Sequence, residues 1–450
     1  MSEDRVSKPS QDDGPVDRMR IGIRRRLDGL LRGRRRSDAL PIDFDPDLYL
    51  DLNADVAMAV EAGHIASAAE HWRHFGRRER RAYRLPIPTA ALGGDIVGAG
   101  TFRYPYRAVG SLPRIEFAEP AIGGDDEAIA RRLIAAWRHS AAAAPDAVEE
   151  GMWAARTQGF SAFHTALHGG DAPALAAMLV DLFQSHLAHG IAMGRTTATL
   201  ARHAPDTFAA GWHDRLLRFA EALAVEPVRC PEQGDFTRPL ESIAGLERIE
   251  AALGFPLTFP NVGAPYGVRL GGSILPEHAF SHAYAARRIR DLRPGPRLAE
   301  IGGGFGGLAW YLHDAAQSYT ILDLPFTNVI QGWFLLKAGL PVSLSGETDA
   351  RIRILPWWEI HRDERYDLVI NQDSIPEMPP DTAEMYVGRI REIAPLFYSI
   401  NQEAAAVNTD AFRQGVVPDL VARDGGYRRL SRNLFWLRDG YVEEVYARRG

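Results

Sequence analysis

A run of glycines in the C-terminal half of the chain stands between two acidic residues. Residues 302–307 read GGGFGG and contain the spacing G-x-G-x-x-G, with Glu300 two positions before the run and Asp323 sixteen positions after its last glycine. Glycine inside a regular element costs about 0.5–1 kcal/mol relative to alanine, so this cluster indicates that the backbone must approach a ligand closely. At a turn from a strand into a helix, the usual ligand is a nucleotide-like cofactor.

The two acids favour one cofactor over others. At the end of the first strand, the Glu300 carboxylate can accept hydrogen bonds from the ammonium group of a bound amino acid, whereas it would repel a pyrophosphate. Asp323, at the end of the second strand, can bind both hydroxyls of a ribose, and Leu324-Pro325 begins a loop that can lie along an adenine. These three features together predict S-adenosylmethionine. The predicted cofactor-binding residues are Glu300, Gly302, Gly303, Gly304, Gly306, Asp323, Leu324 and Asn371.

The elements that would position these residues alternate between strand and helix from about residue 297 onward. The predicted strands are RLAEIG, YTILDL, IRILPW, YDLVINQD and LFYSINQ. The predicted helices are GGLAWYLHDAA, FTNVIQGWFLLKAG and DTAEMYVGRIREIA. Such alternation predicts βαβ units and a parallel sheet with both faces covered. The predicted fold class is α/β, with a Rossmann-like C-terminal domain (251–450) and a largely helical N-terminal half.

The N-terminal half is divided by its composition. Three short helices follow candidate N-caps at Asp47, Asn53 and Ser67. The apolar periodicity of 172–194 predicts one helix, and the Gly- and Pro-rich stretch 254–275 is predicted to be irregular. The predicted segments are a disordered basic tail (1–40), a small helical module (41–85), a linker (86–124) and a helical cap domain (125–250).

Several motifs resemble those of a known family. EIGGGFG (300–306) followed by LDLP (322–325) is similar to the class I methyltransferases. GMW (151–153), NVGAPYG (261–267) and NQDSIPEM (371–378) resemble the bacterial sugar O-methyltransferase family, over more than half of the chain. The resemblance implies a class I methyltransferase fold, S-adenosylmethionine as the methyl donor and a saccharide hydroxyl as the acceptor.

The N-terminal module carries a second resemblance. The runs Tyr49–Val56 and His71–Arg80 resemble a short helical module of bacterial proteins of surface-polysaccharide synthesis, which often accompanies glycosyltransferases. This implies a place in surface polysaccharide or glycolipid biosynthesis. The expected acceptor is therefore a nucleotide sugar or a lipid-linked glycan.

Methyl transfer to a sugar hydroxyl requires the acceptor oxygen to be held in line with the methyl group. Because a hydroxyl is a poor nucleophile at neutral pH, a general base is expected near the end of the fourth strand or on the helix before the first strand. NQDSIPEM offers Asp373 and Glu377, and His278 and His282 lie on one face of the helix predicted over 277–292. We predict His282 or Glu377 as the base, with Asp373 and His278 as further candidates. Asp373 and Glu377 are also an alternative pair of ligands for Mg²⁺, although no spacing assigns a metal site.

Composition restricts the location and the partners. The single cysteine, Cys230, excludes an intrachain disulfide, and the chain has no apolar run of about 18 residues. With no apolar core of a signal peptide at the N-terminus, a cytoplasmic location is expected. The net charge of −6 argues against nucleic acid as a partner. Residues 18–36 contain nine arginines and one apolar helical face, which predicts a peripheral contact with the anionic inner membrane, although a solvated tail is the alternative.

Three other functions are alternatives to this interpretation. A nicotinamide-dependent sugar oxidoreductase or epimerase would usually carry a Tyr-x-x-x-Lys pair, but Lys8 and Lys337 are the only lysines and residue 333 is Trp333. A methyltransferase acting on another small molecule or a nucleic acid is a second alternative. A non-catalytic scaffold with a methyltransferase-like domain is the third, and the intact Glu300, glycines and Asp323 argue against it.

Overall fold

The computed structural model describes residues 40–41, 44–83, 112–145, 160–228, 242–348, 350–404, 414–438 and 440–450. The arginine-rich stretch 18–36, the GMW run and most of the predicted linker lie outside these residues. The helices are α1 (Pro46–Leu52), α2 (Ala54–Glu61), α3 (Ala68–His71), α4 (Asp126–Ala142), α5 (Ser161–Gly169), α6 (Ala172–Leu179), α7 (Arg195–His203), α8 (Pro205–Ala222), α9 (Ser242–Leu253), α10 (Ala279–Leu292), α11 (Gly307–Leu312), α12 (Pro325–Lys337), α13 (Pro380–Ile393) and α14 (Val417–Asp424). The strands are β1 (Ile115–Phe117), β2 (Tyr266–Leu270), β3 (Ser273–Leu275), β4 (Arg297–Ile301), β5 (Ser318–Asp323), β6 (Val342–Leu344), β7 (Ile352–Pro356), β8 (Leu368–Gln372), β9 (Leu396–Gln402), β10 (Tyr427–Leu434) and β11 (Tyr441–Arg448).

An eight-stranded sheet forms the C-terminal part, in the order β10-β11-β9-β8-β4-β5-β7-β6. The strands from β9 to β6 run parallel, whereas β11 is antiparallel to both of its neighbours. The chain moves outward from β4 through β5 and then crosses to β8 on the other side of β4, which makes β4 and β8 the switch point of the sheet. This order and the one reversed strand confirm the predicted class I methyltransferase (Rossmann-like) fold.

The inner strands are buried on both faces because helices cover both sides of the sheet. All five residues of β7 and four of the five in β4 are buried, as expected for parallel strands in a three-layer fold. On one face, α13 and α14 pack against the sheet in a smaller core. On the other face, α10, α11 and α12 share one large core with the helices between residues 126 and 222. The helical region therefore packs directly on the sheet through a continuous apolar core.

The N-terminal module has a small cluster of its own, centred on Tyr49, Val56 and Trp72. The hydroxyl of Tyr49 lies 2.8 Å from Nδ1 of His71, so this histidine is a packed residue of the module. Ser67 caps α3 as predicted, by accepting the amide of Glu70. The cap predicted at Asp47 is wrong, because the cap of α1 is Asp45. Asn53 occupies the N-cap position of α2 as predicted, but its side chain donates to the carbonyls of Tyr49 and Ala82 and makes no capping bond.

Four other expectations differ from the structure. The stretch 254–275 contains the hairpin β2–β3, and β1 pairs with β2 inside the predicted linker 86–124, where the ring of Phe117 stacks on Tyr266 at 5.1 Å. The helix predicted over 172–194 ends at Leu179, and the rest of that stretch forms two short 3-10 turns, Leu182–Gln184 and His186–Ala188, followed by a loop in which Gly190 adopts a positive φ of 80°. The sheet is not purely parallel, since β10 and β11 form an antiparallel edge.

Candidate active site

A cavity of about 400 Å³ lies over the carboxyl ends of β4, β5 and β8. This is the switch point of the sheet, where ligands bind in open α/β folds, and the volume is in the usual range for a small-molecule site. Its far wall comes from the helical region, through residues 190–193, Thr197 and Arg215. A narrower, more apolar slot of about 60 Å³ adjoins it and shares Gly302 and Asp323 with it.

The glycine-rich loop forms the floor of the cavity. Gly302 and Gly304 adopt positive φ angles of 72° and 57°, a region that favours glycine. A Cβ added at Gly302 would overlap the side chain of Ser374. Gly302, Gly303 and Gly304 line the cavity as predicted, whereas Gly306 does not, because it precedes α11 at a φ of 95° and faces Leu335.

Glu300 enters the cavity from the end of β4. Its side chain is almost fully buried, with 3% of its surface exposed, and Oε2 accepts a 2.7 Å hydrogen bond from the Tyr319 hydroxyl. Burial raises the pKa of the Glu300 carboxyl to about 7, although the bond from Tyr319 lowers it. No cationic side chain of the described residues forms an ion pair with this acid, so its charge remains available to a cationic ligand.

Asp323 enters the same cavity from the end of β5. Oδ1 accepts the amide of Leu324 at 2.7 Å, and Oδ2 accepts Nε2 of the buried Gln331 at 2.6 Å. Burial raises the pKa of the Asp323 carboxyl to about 7, and these hydrogen bonds, with those from Gly303 and Gly304, act in the opposite direction. These contacts fix the orientation of the Asp323 carboxylate, which lines the cavity.

The adjoining slot fits a flat apolar ring. Leu322 and Leu324 form one side, and Trp357, Met378 and Tyr386 contribute to the rest. Leu324 therefore lies where the sequence predicted an adenine contact. Two acids without a cationic partner, a glycine floor and an apolar slot fit the ammonium, ribose and adenine groups of S-adenosylmethionine.

The two histidine candidates lie on the cavity wall formed by the start of α10. Burial lowers the pKa of His282 to about 4, so its imidazole is neutral at physiological pH and can accept a proton. Nδ1 of His282 is buried against Gly307, where a Cβ would overlap the ring, and this leaves Nε2 as the nitrogen with access to the cavity. His278 is wedged between the rings of Phe183 and Phe305, and burial holds its pKa well below the usual range.

The candidates from NQDSIPEM have different environments. Glu377 lines both the cavity and the slot. Asp373 also lines the cavity, but its carboxylate is held by the Arg438 guanidinium at 2.5 Å and the Tyr441 hydroxyl at 2.7 Å. Asn371, predicted to bind the cofactor, does not line the cavity. It is fully buried and joins β8 to the end of β4 and to β9, through hydrogen bonds with Ile301 O and Asn401.

The structure adds residues to the site that the sequence did not reveal. Arg215 of α8 forms a buried ion pair with Glu277, and both residues line the cavity. Arg438, which precedes β11, lies over the ring of Tyr441 at 3.9 Å. These residues come from elements far apart in the chain, and no local spacing relates them to the glycine motif.

Two further findings concern metals and membranes. Among the residues that the structure describes, no group of three His, Cys, Asp or Glu side chains could hold a metal ion. The Mg²⁺ alternative also loses one proposed ligand, because Asp373 is committed to Arg438 and Tyr441. Within the same part of the chain, no helix combines the length and apolarity required to cross a membrane.

Comparison with known proteins gives only distant matches. No family model matches the chain, and no curated protein matches it. Among solved structures, the chain is similar to magnesium protoporphyrin IX methyltransferase of Synechocystis with bound S-adenosylmethionine, at 13% identity, a TM-score of 0.30, and coverage of 38% of this chain and 78% of that one. It is also similar to the glycopeptide N-methyltransferase MtfA, at 17% identity and a TM-score of 0.30, with coverage of 37% of this chain and 87% of that one. A third similar structure is an S-adenosylmethionine-dependent methyltransferase of Clostridium acetobutylicum, at 10% identity and a TM-score of 0.30, with coverage of 38% of this chain and 91% of that one. Similarity at this level carries no information about the reaction or the substrate of this chain.

Proposed function

We propose that this chain is an S-adenosylmethionine-dependent methyltransferase that acts on a hydroxyl group of a saccharide. The observation that carries the cofactor is the placement of Glu300 and Asp323 on either side of Gly302–Gly304, each without a cationic partner among the described residues. A ligand with an ammonium group and a ribose satisfies both acids. A pyrophosphate would bring negative charge against Glu300, which disfavours a dinucleotide.

The residues of the cavity suggest how the reaction proceeds. When bound, S-adenosylmethionine supplies a methyl group on a sulfonium, so that an oxygen–carbon bond forms as the carbon–sulfur bond breaks. Glu300 would hold the ammonium group and Asp323 the ribose of the cofactor, and positioning of this kind can account for much of the rate. The neutral His282 imidazole takes the hydroxyl proton and later releases it to water, and Glu377 is the second candidate for this role.

Support for a saccharide comes from the acceptor end of the cavity and from the NQDSIPEM motif. The acceptor end is polar, with two ion pairs that are balanced in charge, Arg215–Glu277 and Arg438–Asp373. Side chains of these types offer many donors and acceptors to a polyol without selecting for a net charge. We propose a nucleotide sugar or a lipid-linked glycan of surface polysaccharide or glycolipid biosynthesis as the acceptor.

Calorimetric titration with S-adenosylmethionine and with NAD tests the cofactor. The protein is expected to bind S-adenosylmethionine, and Asp323→Ala is expected to weaken binding by about 1.5–3 kcal/mol, the scale for hydrogen bonds to a charged group. Asp314→Ala is the matched control, since this aspartate pairs with Arg290 outside the cavity. Absence of binding by the unaltered protein, or preference for NAD, would contradict the proposal.

The acceptor is tested by mass spectrometry of glycans from a parent strain and a deletion strain. A saccharide that is lighter by one methyl group in the deletion strain is expected. His282→Ala is expected to lower turnover by about 10²–10⁴-fold with nearly unchanged cofactor affinity if His282 is the base, and Glu377→Gln makes the parallel test. A methyl group that appeared on RNA or protein instead would show the saccharide assignment to be wrong.

A further inference from the structure

A loop of the helical region covers the glycine-rich loop. We call residues 185–195 the covering loop. Its ends are joined by the amide of Arg195, which donates to Ser185 O at 3.0 Å, and the Tyr266 hydroxyl donates to Gly194 O near the same end. A compact loop of this length with closed ends is an Ω-loop, a type that often carries function.

The tip of the covering loop forms part of the cavity. Gly190, Ile191, Ala192 and Met193 all line it, and the Ile191 carbonyl oxygen lies 3.6 Å from where a Cβ would stand on Gly304. The amides of Ile191 and Ala192 both donate to Ala188 O, inside the loop. The tip therefore rests on the predicted cofactor floor through van der Waals contact, while its backbone hydrogen bonds are local.

Helix α1 of the N-terminal module packs on α7 at the base of this loop, and Asp51 makes polar contacts there. Oδ1 of Asp51, at the end of α1, lies 2.5 Å from Nε of Arg195, and Oδ2 accepts a hydrogen bond from Thr199 Oγ1 at 3.1 Å. Arg195 and Thr199 lie in the first turns of α7, where a carboxylate is favoured by the helix dipole. Thr197, between these two residues, lines the cavity.

The contact between Asp51 and Arg195 can influence the position of the covering loop. The Asp51 side chain is only 18% exposed, so its ion pair with Arg195 is less screened by water than a surface pair. Arg195 directly follows the segment Gly190–Gly194 in the chain. Met58 of the module is also part of the main apolar core.

We infer that Asp51 is a positioning residue of the cofactor cavity. By holding Arg195 and Thr199, it fixes the base of the covering loop above the glycine-rich loop and thereby sets the rate at which a bound ligand leaves. The N-terminal module thus supports one wall of the cavity from outside the α/β domain. The inference rests on the proposed function only for the choice of the ligand used to probe it.

The full-length protein provides the test, with S-adenosylhomocysteine as the ligand. Asp51→Ala is expected to raise its dissociation rate about fivefold, the scale for losing one ordinary hydrogen-bonded contact. In the ligand-free protein, the same variant is expected to raise amide hydrogen exchange in residues 186–194. The matched control is Asp55→Ala, which removes an ion pair with Arg81 of 2.7 Å within the module and is expected to change neither measurement.

If Asp51→Ala fails to fold, variants of its two partners, Arg195 and Thr199, still test the inference. Arg195→Ala and Thr199→Val are each expected to reproduce part of the effect, and the exchanged pair Asp51→Arg with Arg195→Asp is expected to restore the slow dissociation. Unchanged dissociation and exchange in all of the single variants would overturn the inference. Failure of the unaltered protein to bind S-adenosylhomocysteine would instead contradict the proposed function, and the hydrogen exchange of the covering loop would still decide the role of Asp51.

Discussion

The two acids of the cavity, Glu300 and Asp323, have pKa values near 7 because burial disfavours their charged forms. Their ionised forms are the ones that bind an ammonium group and a ribose most strongly. Since a raised pKa means that protons are taken up as the pH falls through 7, we expect affinity for S-adenosylhomocysteine to decrease from pH 8 to pH 6. The expected decrease is about tenfold, as measured by calorimetry across this range.

His282, in contrast to Glu300 and Asp323, does not contribute to this pH dependence. Burial lowers its pKa to about 4, so its protonation state does not change between pH 6 and pH 8. Glu300→Gln, which cannot ionise, is expected to bind more weakly at pH 8 and to show a flatter pH profile than the unaltered protein. A profile that is identical in both proteins would contradict the assignment of the titration to Glu300.

Tyr319 orients Glu300 from the neighbouring strand. The pairing of Leu298 with Tyr319 and of Glu300 with Ile321 places both side chains on one face of the sheet, where the hydroxyl reaches Oε2. We expect Tyr319→Phe to weaken S-adenosylhomocysteine binding by about 1 kcal/mol. Affinity for methylthioadenosine, which lacks the amino-acid group, should remain unchanged, and fluorescence competition can measure both ligands.

Tyr284→Phe is the matched control for that experiment. Tyr284 also donates to a buried glutamate, Glu443 at 2.8 Å, but neither residue lines the cavity. The control is expected to lower stability without changing the ratio of the two affinities. Equal loss of both ligands in Tyr319→Phe would show that this tyrosine supports the sheet rather than Glu300.

The sequence predicted the residues of the site that lie close together in the chain. Glu300, Asp323 and Leu324 occupy strand ends next to the glycine motif, so their positions follow from local pattern. Arg215 and Arg438 escaped prediction, because only the packing of α8 and the turn before β11 brings them to the cavity. Asn371, predicted to bind the cofactor, has its amide hydrogen-bonded inside the sheet, an arrangement that its spacing does not indicate.

At the level of elements, the turn between β4 and α11 is tightly packed at Gly302. Ser374 Oγ accepts from Asn371 Nδ2 and donates to Ile301 O, so it cannot rotate away from Gly302 without losing these bonds. We expect Gly302→Ala to destabilise the protein by about 2–4 kcal/mol, from overpacking in addition to a positive φ. Urea unfolding measures the loss, and ligand binding should disappear.

Gly271→Ala separates the cost of overpacking from the cost of a positive φ. Gly271 has a φ of 57° in the turn between β2 and β3, and nothing lies within 4 Å of a Cβ built there. This variant is therefore expected to lose only about 1–2 kcal/mol, the penalty of the backbone conformation. If both variants lost the same stability, the contact between Gly302 and Ser374 would have no energetic weight.

The elements with strong periodicity were predicted well, and those that depend on partners were not. The strands from β4 to β9, except the three-residue β6, follow from apolar runs between helical patterns. Strand β10 reads YRRLSRNL, with almost every residue exposed at the sheet edge, so hydrophobicity gives no signal for it. The hairpin β2–β3 was hidden by its Gly and Pro content, because composition does not report the pairing with β1.

For the whole molecule, the function of residues 18–36 stays a prediction from the sequence alone. Nine arginines on a segment with one apolar face are expected to bind anionic lipid, and the attraction should weaken with salt. We expect co-sedimentation with phosphatidylserine vesicles that decreases at about 0.5 M salt. Removal of residues 1–39 should abolish it, and equal sedimentation of the truncated protein would exclude the membrane contact.

The position of β11 has a consequence for synthesis of the protein in the cell. Although it follows β10 in the chain, β11 lies between β9 and β10 in the sheet. A nascent chain that has not yet reached Tyr441 therefore exposes the hydrogen-bonding edge of β9, and Asp373 lacks the tyrosine that holds it. Ribosomes that stall or terminate early before this strand release a chain with an open sheet edge, a feature prone to aggregation. The support of Asp373 by Tyr441 thus forms only after this strand has been made.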